Sequence, residues 1–243
     1  MNTILSMFLS SIIIFFASSV QGATGFAFAL IIVPLLSFFL PLKAIVPISI
    51  VLSLVINTLV IISGRKLLAL KEIWILIVTG IIGIPFGIYL LNTMNLQLLK
   101  IIIGLLLIIT SFTMYKGLNV HFKNKGISHS ITGFISGVLN GSISMSGPPI
   151  VLFLANEGYE KDSFRTNMNA YSIITNIIAI AVFAFNGFIS NDVIRYSGIN
   201  IIVTAIGTLL GIRISGKINE TTFKKVIFIL LIITGVITIV NSF

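Results

Sequence analysis

Two short stretches of this 243-residue chain combine glycine with hydroxyl and amide side chains inside otherwise apolar sequence. The first is Gln21-Gly22-Ala23-Thr24-Gly25, and the second, NGSISMSGPP, runs over 140–149. Glycine permits close approach and positive φ, and proline at a helix start leaves neighbouring amides unpaired. Many neutral donors without a fixed negative charge suit an oxyanion. The alternative for each stretch alone is an ordinary loop or packing kink with satisfied hydroxyls.

The surrounding sequence is that of a polytopic membrane protein, because 57% of residues are apolar and only 9% are charged. A soluble domain carries roughly 25% charged residues, and the lack of cysteine excludes a disulfide scaffold. A spanning helix takes about 20 residues, so about eight to ten membrane segments fit. The apolar runs are about 3–40 (interrupted), 44–63, 73–91, 96–115, 131–156 (interrupted), 166–189, 196–214 and 223–242.

The two halves of the chain resemble each other in the order of their polar and small residues. Pairs 119 positions apart are Gly22 with Gly141 and Asn57 with Asn176, and pairs 124 positions apart are Gly83 with Gly207 and Gly87 with Gly211. We therefore predict a duplicated architecture within one integral membrane domain. The first membrane repeat covers 1–117, a connecting loop covers 118–130, and the second repeat covers 131–243.

The Lys and Arg residues indicate how the repeats are oriented. If each interrupted run crosses the membrane once, the repeats are parallel and the fifteen positive residues divide almost evenly. If each run enters and returns, the repeats are inverted, and only Lys43, Lys100 and Arg195 lie opposite the other twelve. Loops rich in Lys and Arg face the cytoplasm, which favours inversion. We predict an all-α polytopic membrane protein with two inverted repeats, each a broken helical hairpin plus three transmembrane helices.

Inverted repeats with discontinuous helices are a common plan of secondary transporters, in which the breaks meet near the bilayer midplane and helix N-termini face an anionic substrate. Because the two polar stretches occupy equivalent repeat positions, we predict one shared binding site. Its residues in these stretches are Gln21, Gly22, Thr24, Gly25, Asn140, Gly141, Ser142, Ser144, Ser146, Gly147 and Pro148.

Arg165, just before the run 166–189, and Asn169, within its first turn, extend this prediction. The guanidinium of Arg165 could hold an oxyanion through two parallel hydrogen bonds, and Asn169 is four residues further on. The alternative for Arg165 is an interfacial anchor paired with Asp162 or Glu160. Lys43 lies near the equivalent place in the first half and is a weaker candidate, since it could simply mark a helix end.

Asn57 and Asn176 are further weaker candidates, because they fall within predicted spans at matching repeat positions. An amide at membrane depth needs a partner. Hydrogen bonding between helices and lining of a substrate path are both open for these two residues.

The remaining polar residues limit the chemistry that is available. All six carboxylates fall in loops or at segment ends, so no buried carboxylate serves as a proton relay. The two histidines have neither a carboxylate nor a cysteine beside them, and we predict no metal site, no cofactor and no enzymatic activity. The coupling ion is left open between proton and sodium.

The two polar stretches, in the contexts QGATGFAFALIIVPLL and NGSISMSGPPIVLFLANEGYEKDSFRTN, resemble the signatures of the TauE/SafE sulfite exporter family, also called TSUP. The resemblance covers essentially the whole chain, including Gly158 and Arg165-Thr166 after the second stretch. Many members carry Gly-Gly-Pro where this chain has Gly147-Pro148-Pro149. The resemblance implies an integral membrane transporter of sulfite, sulfonates or related small oxyanions.

The function that we expect is therefore secondary transport, as an exporter, of a small sulfur-containing anion by alternating access around the two breaks. The alternative is an anion channel or an accessory membrane subunit. The expected location is the cell membrane, as a multi-pass protein in contact with lipid. The net charge is +9. We attribute it to Lys and Arg residues that set the membrane topology or contact anionic lipid headgroups, and we expect no nucleic acid partner. The oligomeric state is open, with a homodimer among the alternatives.

Overall fold

The computed structural model describes residues 3–64, 68–95 and 125–240, together with short helical pieces between residues 97 and 112. No strand occurs in these parts of the chain. The helices described in full are α1 (Thr3–Thr24), α2 (Phe28–Leu36), α3 (Leu42–Gly64), α4 (Leu70–Thr93), α5 (Lys125–Ile143), α6 (Gly147–Asn156), α7 (Lys161–Phe185), α8 (Asn191–Ser215) and α9 (Glu220–Val240).

Five of the described helices are long and apolar enough to cross a membrane: Ser6–Thr24 within α1, and α3, α4, α7 and α8. This confirms the prediction of an all-α, multi-pass integral membrane protein. The predicted run 96–115 lies only partly within the described residues. Of the predicted connecting loop 118–130, residues 125–130 form the first turns of α5, and the others lie outside the described residues.

The breaks in the two interrupted runs are shorter than the sequence suggests. Helix α1 continues to Thr24 and α5 to Ile143, so that only residues 25–27 and 144–146 interrupt the helices. The first arms of the hairpins are consequently 22 and 19 residues long, longer than expected from the position of the glycines. Gly22 and Gly141 lie inside helices because their role is close packing rather than chain reversal.

Each of these two glycines lies where a neighbouring helix backbone comes very close. A Cβ atom at Gly22 would lie 2.4 Å from the carbonyl oxygen of Thr208 in α8. A Cβ atom at Gly141 would lie 2.3 Å from the carbonyl oxygen of Ile84 in α4. Small residues at helix interfaces permit such approach in membranes, so the glycines set the distance between helices.

The same packing is repeated from the other side of each interface. A Cβ atom at Gly87 of α4 would lie 2.1 Å from the carbonyl oxygen of Val138, and one at Gly211 of α8 would lie 2.0 Å from that of Ser19. Ser19 and Val138 are 119 positions apart, the offset seen in the sequence. Helix α4 of the first half therefore packs on α5 of the second as α8 packs on α1.

Contacts at one end of the helices bear on how the halves are oriented. The Tyr159 hydroxyl donates to the carboxylate of Glu72, and the backbone N–H of Ala69 donates to Asn167 Oδ1 at 2.8 Å. Lys161 Nζ donates to the carbonyl oxygen of Ile218 at 2.7 Å. The segments before α4, before α7 and after α8 thus meet at one end. Parallel repeats would separate the first two of these segments, so the contacts support the prediction of inversion.

Candidate functional site

A small polar cavity lies where the two breaks meet α3 and α7. About 20 Å³ of it is open to the centre of a water molecule, which is room for one water. Its lining residues are Gln21, Phe26, Ala29, Ser53, Asn57, Ser144, Ser146, Gly147, Met168, Ser172 and Asn176. No residue in this lining carries a formal charge, so the cavity offers amide, hydroxyl and backbone groups.

The cavity lies at mid-height of the two central helices. Ser53 is eleven residues from each end of α3, and Ser172 is eleven residues from the start of α7. At 1.5 Å per residue, each serine lies about 16 Å along its helix. The cavity therefore lies near the middle of both helices.

In the first half, the side chain of Gln21 connects the break to α3. Its Oε1 accepts from the backbone N–H of Phe28, the first residue of α2, at 3.0 Å. Its Nε2 donates to Asn57 Oδ1 at 2.7 Å. The Gln21 amide thus accepts from the first N–H of α2 and holds the Asn57 side chain in one orientation.

The second half repeats this contact between its own helices. Asn140 Nδ2 donates to Asn176 Oδ1 at 3.0 Å, and both residues follow Gln21 and Asn57 by 119 positions. The predicted hydrogen bonding of Asn57 and Asn176 between helices is therefore present. Both residues also line the cavity, so the two alternatives for them are compatible.

Both first arms are followed directly by a residue with positive φ. Gly25 has φ 93° and donates its N–H to the carbonyl oxygen of Gln21 at 2.6 Å. Ser144 has φ 62° and donates its N–H to that of Asn140 at 2.8 Å. A residue in the left-handed conformation ends many helices, and glycine adopts this conformation readily because it has no Cβ atom.

Neutral hydroxyls hold the second break in place. Ser144 Oγ donates to Ser49 Oγ of α3 at 3.0 Å, and Ser136 Oγ donates to the carbonyl oxygen of Ser146 at 2.6 Å. Helix α6 then begins at Gly147 with prolines in its first turn. Proline has no N–H to satisfy at this position, and the N-terminal end of α6 borders the cavity with its positive dipole end.

The first break is held instead by a buried cation and an amide from α7. Arg165 is only 8% exposed, and its Nη2 donates to the carbonyl oxygen of Gly22 in the last turn of α1. Asn169 Nδ2 donates to the carbonyl oxygen of Gly25 at 3.0 Å. A cation near the final carbonyls of a helix is favourable. Arg165 also pairs with Asp162, Nη1 to Oδ1, at 3.5 Å.

The predicted site residues divide into two groups. Those that line the cavity are Gln21, Ser144, Ser146, Gly147, Asn57 and Asn176. Those that do not line it are Gly22, Thr24, Gly25, Asn140, Gly141, Ser142, Pro148, Arg165, Asn169 and Lys43. Thr24 and Ser142 bond to carbonyl oxygens of their own helices at 2.8 Å. Lys43 Nζ donates to Asn92 Oδ1 at 3.1 Å, away from the breaks.

Sequence reasoning missed Ser53 and Ser172 among the polar lining residues. A signal for them is present, since each lies four residues before Asn57 or Asn176 and thus on the same helix face. Their own separation is 119 positions, like that of the asparagines. Among the described residues, no group of three His, Asp or Glu side chains could hold a metal ion.

Comparison with known proteins identifies the kind of protein that carries this cavity. A family model described as "Sulfite exporter TauE/SafE" matches residues 10–238. The chain belongs to the TauE/SafE family. A relative named "Probable sulfite/organosulfonate exporter TauE", from Cupriavidus necator, is 24% identical over 232 residues, which cover 88% of this chain and 86% of the relative. No solved structure matches the chain.

The TauE/SafE match includes every residue that lines the cavity, because the lining extends from Gln21 to Asn176. Membership in an exporter family agrees with five candidate spanning helices. It confirms the resemblance drawn from the two polar stretches.

Proposed function

We propose that this protein is a secondary transporter that exports a small sulfur-containing anion, such as sulfite or an organosulfonate, by alternating access around the cavity. The observation that carries the proposal is that both breaks contribute to one buried, polar, carboxylate-free cavity at mid-height. Such a lining offers donors to an anion and no like charge to repel it. The name of the Cupriavidus necator relative supports the choice of substrate class.

Transport requires the breaks to move apart, since the cavity has room for only one water molecule. A sulfite ion would enter when one side of the cavity opens and leave when the other does. The short irregular segments 25–27 and 144–146 are suitable hinges, because φ and ψ can change there without breaking a continuous helix. The arrangement around them would then alternate between two packed states.

The proposal includes the inverted order of the repeats, with 1–117 and 131–243 as the two units. The paired contacts of Gln21 with Asn57 and of Asn140 with Asn176 support the duplication. Contacts among the segments at one end of the bundle support inversion. Proton coupling, sodium coupling and uncoupled exchange all fit a neutral lining.

Flux into liposomes tests this proposal. Purified protein is reconstituted, and uptake of labelled sulfite, methanesulfonate and chloride is followed. We expect saturable uptake of the sulfur anions that is accelerated when the same anion is present inside. Flux without saturation or acceleration from the opposite side would instead identify a channel. No flux of either sulfur anion would contradict the proposal.

The cavity is tested by a double variant, Ser53→Ala with Ser172→Ala. Removing two hydroxyls from the lining should raise KM for a transported sulfur anion about a hundredfold or more, since each hydrogen bond to a charged group contributes about 1.5–3 kcal/mol and each 1.4 kcal/mol is about tenfold. Gly198→Ala in α8 is the matched control, because a Cβ atom there meets nothing within 4 Å. An unchanged KM in the double variant would exclude the cavity as the binding site.

A further inference from the structure

The hydrogen bonds of Gln21 determine which end of the Asn57 amide is free. The backbone N–H of Phe28 can only donate, so the Gln21 atom that it contacts must be the oxygen. The other end of the Gln21 amide is therefore the NH₂ group, which donates to Asn57. Asn57 must receive this bond with its oxygen, and its own NH₂ group is left over. The backbone N–H of Phe28 thus determines which end of the Gln21 amide and which end of the Asn57 amide is the oxygen.

The NH₂ group of Asn57 is buried without a partner. Asn57 is 0% exposed, its Nδ2 has no hydrogen-bond acceptor in the described part of the protein, and the residue lines the cavity. An unpaired buried donor costs free energy, so a position that retains one is suited to a ligand with acceptor atoms. An anion oxygen is such an acceptor, whereas a metal cation or an ammonium group is not.

We infer that Asn57 is a substrate-binding residue that donates its amide to an anion oxygen, and that Gln21 is a positioning residue that fixes this polarity from the N-terminus of α2. The inference rests on the proposed function and specifies how its site selects anions. The lining has no cationic side chain, so selection here depends on amide orientation rather than on a fixed positive charge.

The second half places an equivalent residue at the same cavity. Asn176 of α7 lines the cavity and accepts from Asn140 with its Oδ1 at 3.0 Å, so its NH₂ group is not used in this bond. One anion in the cavity would thus border two asparagines, Asn57 on α3 and Asn176 on α7. An oxyanion with several oxygens can accept from more than one such amide.

The substitution Gln21→Glu tests the inference, because the orientation of the Asn57 amide then depends on whether the new carboxyl group is protonated. When ionised, the new carboxylate can accept from Phe28 N–H but cannot donate to Asn57. The Asn57 amide then turns, donates to the carboxylate and presents its oxygen to the cavity. When protonated, the new carboxyl donates its O–H to Asn57 Oδ1 and restores the native polarity.

The measurement is KM for methanesulfonate in liposomes, since this anion stays ionised throughout the pH range. In Gln21→Glu we expect KM about tenfold to a hundredfold above that of the unsubstituted protein when the carboxyl is ionised. KM should return toward the unsubstituted value as pH falls through the carboxyl pKa range of about 4 to 7. The charged side chains near Gln21 are Arg165, which donates to Gly22, and its partner Asp162. Both are present in the substituted and the unsubstituted protein.

Because an ionised carboxylate in the lining would also repel the anion, two control variants are used to separate the effect of amide polarity from that of charge. Gln21→Met removes both hydrogen bonds without adding an ionisable group, so its KM should rise and show no recovery at low pH. Asn200→Asp places a carboxyl group on α8, at a buried position outside the cavity, and should leave KM nearly unchanged. An unchanged KM in Gln21→Glu, or one that does not recover at low pH while the unsubstituted protein transports, would overturn the inference.

A second measurement needs no substitution at Gln21 and no transport. In protein labelled with ¹⁵N-asparagine, the side-chain NH₂ resonance of Asn57, assigned with Asn57→Ala, is followed while methanesulfonate and then sulfite are added. A saturable shift at Asn57 and Asn176, with none at Asn200, supports the inference even if no flux is seen. No shift at Asn57 overturns it, whereas absence of flux in the unsubstituted protein contradicts only the proposed transport.

Discussion

The two breaks have the same backbone geometry but are held by different chemistry. In both, the residue that follows the first arm has positive φ and donates its N–H to the carbonyl oxygen four residues earlier. The first break is anchored by Arg165 and Asn169, whose counterparts 119 positions earlier are Val46 and Ile50. The second break is held by the hydroxyls of serines, and its Ser144 and Ser146 line the cavity.

This difference indicates that the two breaks have different roles within the duplicated fold that we propose. The anchors of the first break lie outside the cavity and are buried charge-assisted or amide bonds, which are strong. The restraints of the second break are neutral hydroxyl bonds at the cavity itself, where an anion could replace a protein partner. We therefore expect the Arg165 and Asn169 anchors of the first break to be structural and the serine contacts of the second break to respond to substrate.

The largest effect should follow from removing the anchor of the first break. Arg165→Ala leaves the buried carbonyl of Gly22 without its donor and removes the packing of the arginine stem. We expect a loss of about 3 kcal/mol of stability and loss of transport, measured by thermal unfolding in detergent and by liposome flux. Arg195→Ala, at an exposed position, should change stability by less than about 0.5 kcal/mol. If both variants behave alike, Arg165 is no anchor.

Close packing should affect the two halves equally. Gly22→Ala and Gly141→Ala each force a methyl group against a backbone carbonyl of a neighbouring helix, and we expect each to cost about 1–3 kcal/mol. Thermal unfolding of both variants tests this. A large cost at one position and none at the other would show that the paired interfaces are not equivalent. Gly198→Ala should be neutral or slightly stabilising.

Smaller effects should distinguish the two residues with positive φ. Gly25→Ala introduces a left-handed alanine and a Cβ atom 3.2 Å from Arg165 Cα, so a loss of about 1–2 kcal/mol is expected. Ser144→Gly relieves similar backbone strain but loses the bond to Ser49, and its stability should be nearly unchanged. Its KM for a sulfur anion should nevertheless change if the second break senses substrate. Equal stability losses in both variants would refute this distinction.

The smallest effect concerns the contact between Tyr159 and Glu72 at the end of the bundle. Burial raises the pKa of Tyr159 above its ordinary value, and the bond to Glu72 acts in the same direction. A raised tyrosine pKa means that the contact is fully present below about pH 10 and is lost as pH rises further. Stability should therefore be flat from about pH 6 to 9, and Tyr159→Phe should cost less than about 1.5 kcal/mol. If stability declined between about pH 6 and 9, and Tyr159→Phe abolished that decline, the expectation would be contradicted.

The sequence determined the membrane class and most of the segments, because these follow from the amount and periodicity of apolar residues. It also predicted the duplication from repeated small and amide residues. It also indicated both breaks, since glycine, serine and proline are unfavourable inside uninterrupted helices. The pairing of Asn57 with Asn176 as repeat equivalents came from spacing alone.

Only the tertiary structure decided which of these polar residues face the cavity. Gly22 and Gly141 were expected at the breaks but lie in helices, because whether a glycine ends a helix or packs against one depends on the neighbouring backbone. Arg165 was predicted to bind the anion, and only the structure shows that its guanidinium donates to the carbonyl oxygen of Gly22, 143 residues away in sequence. The order of residues along the chain does not show which distant groups form hydrogen bonds. At membrane depth each buried polar group must have such a partner.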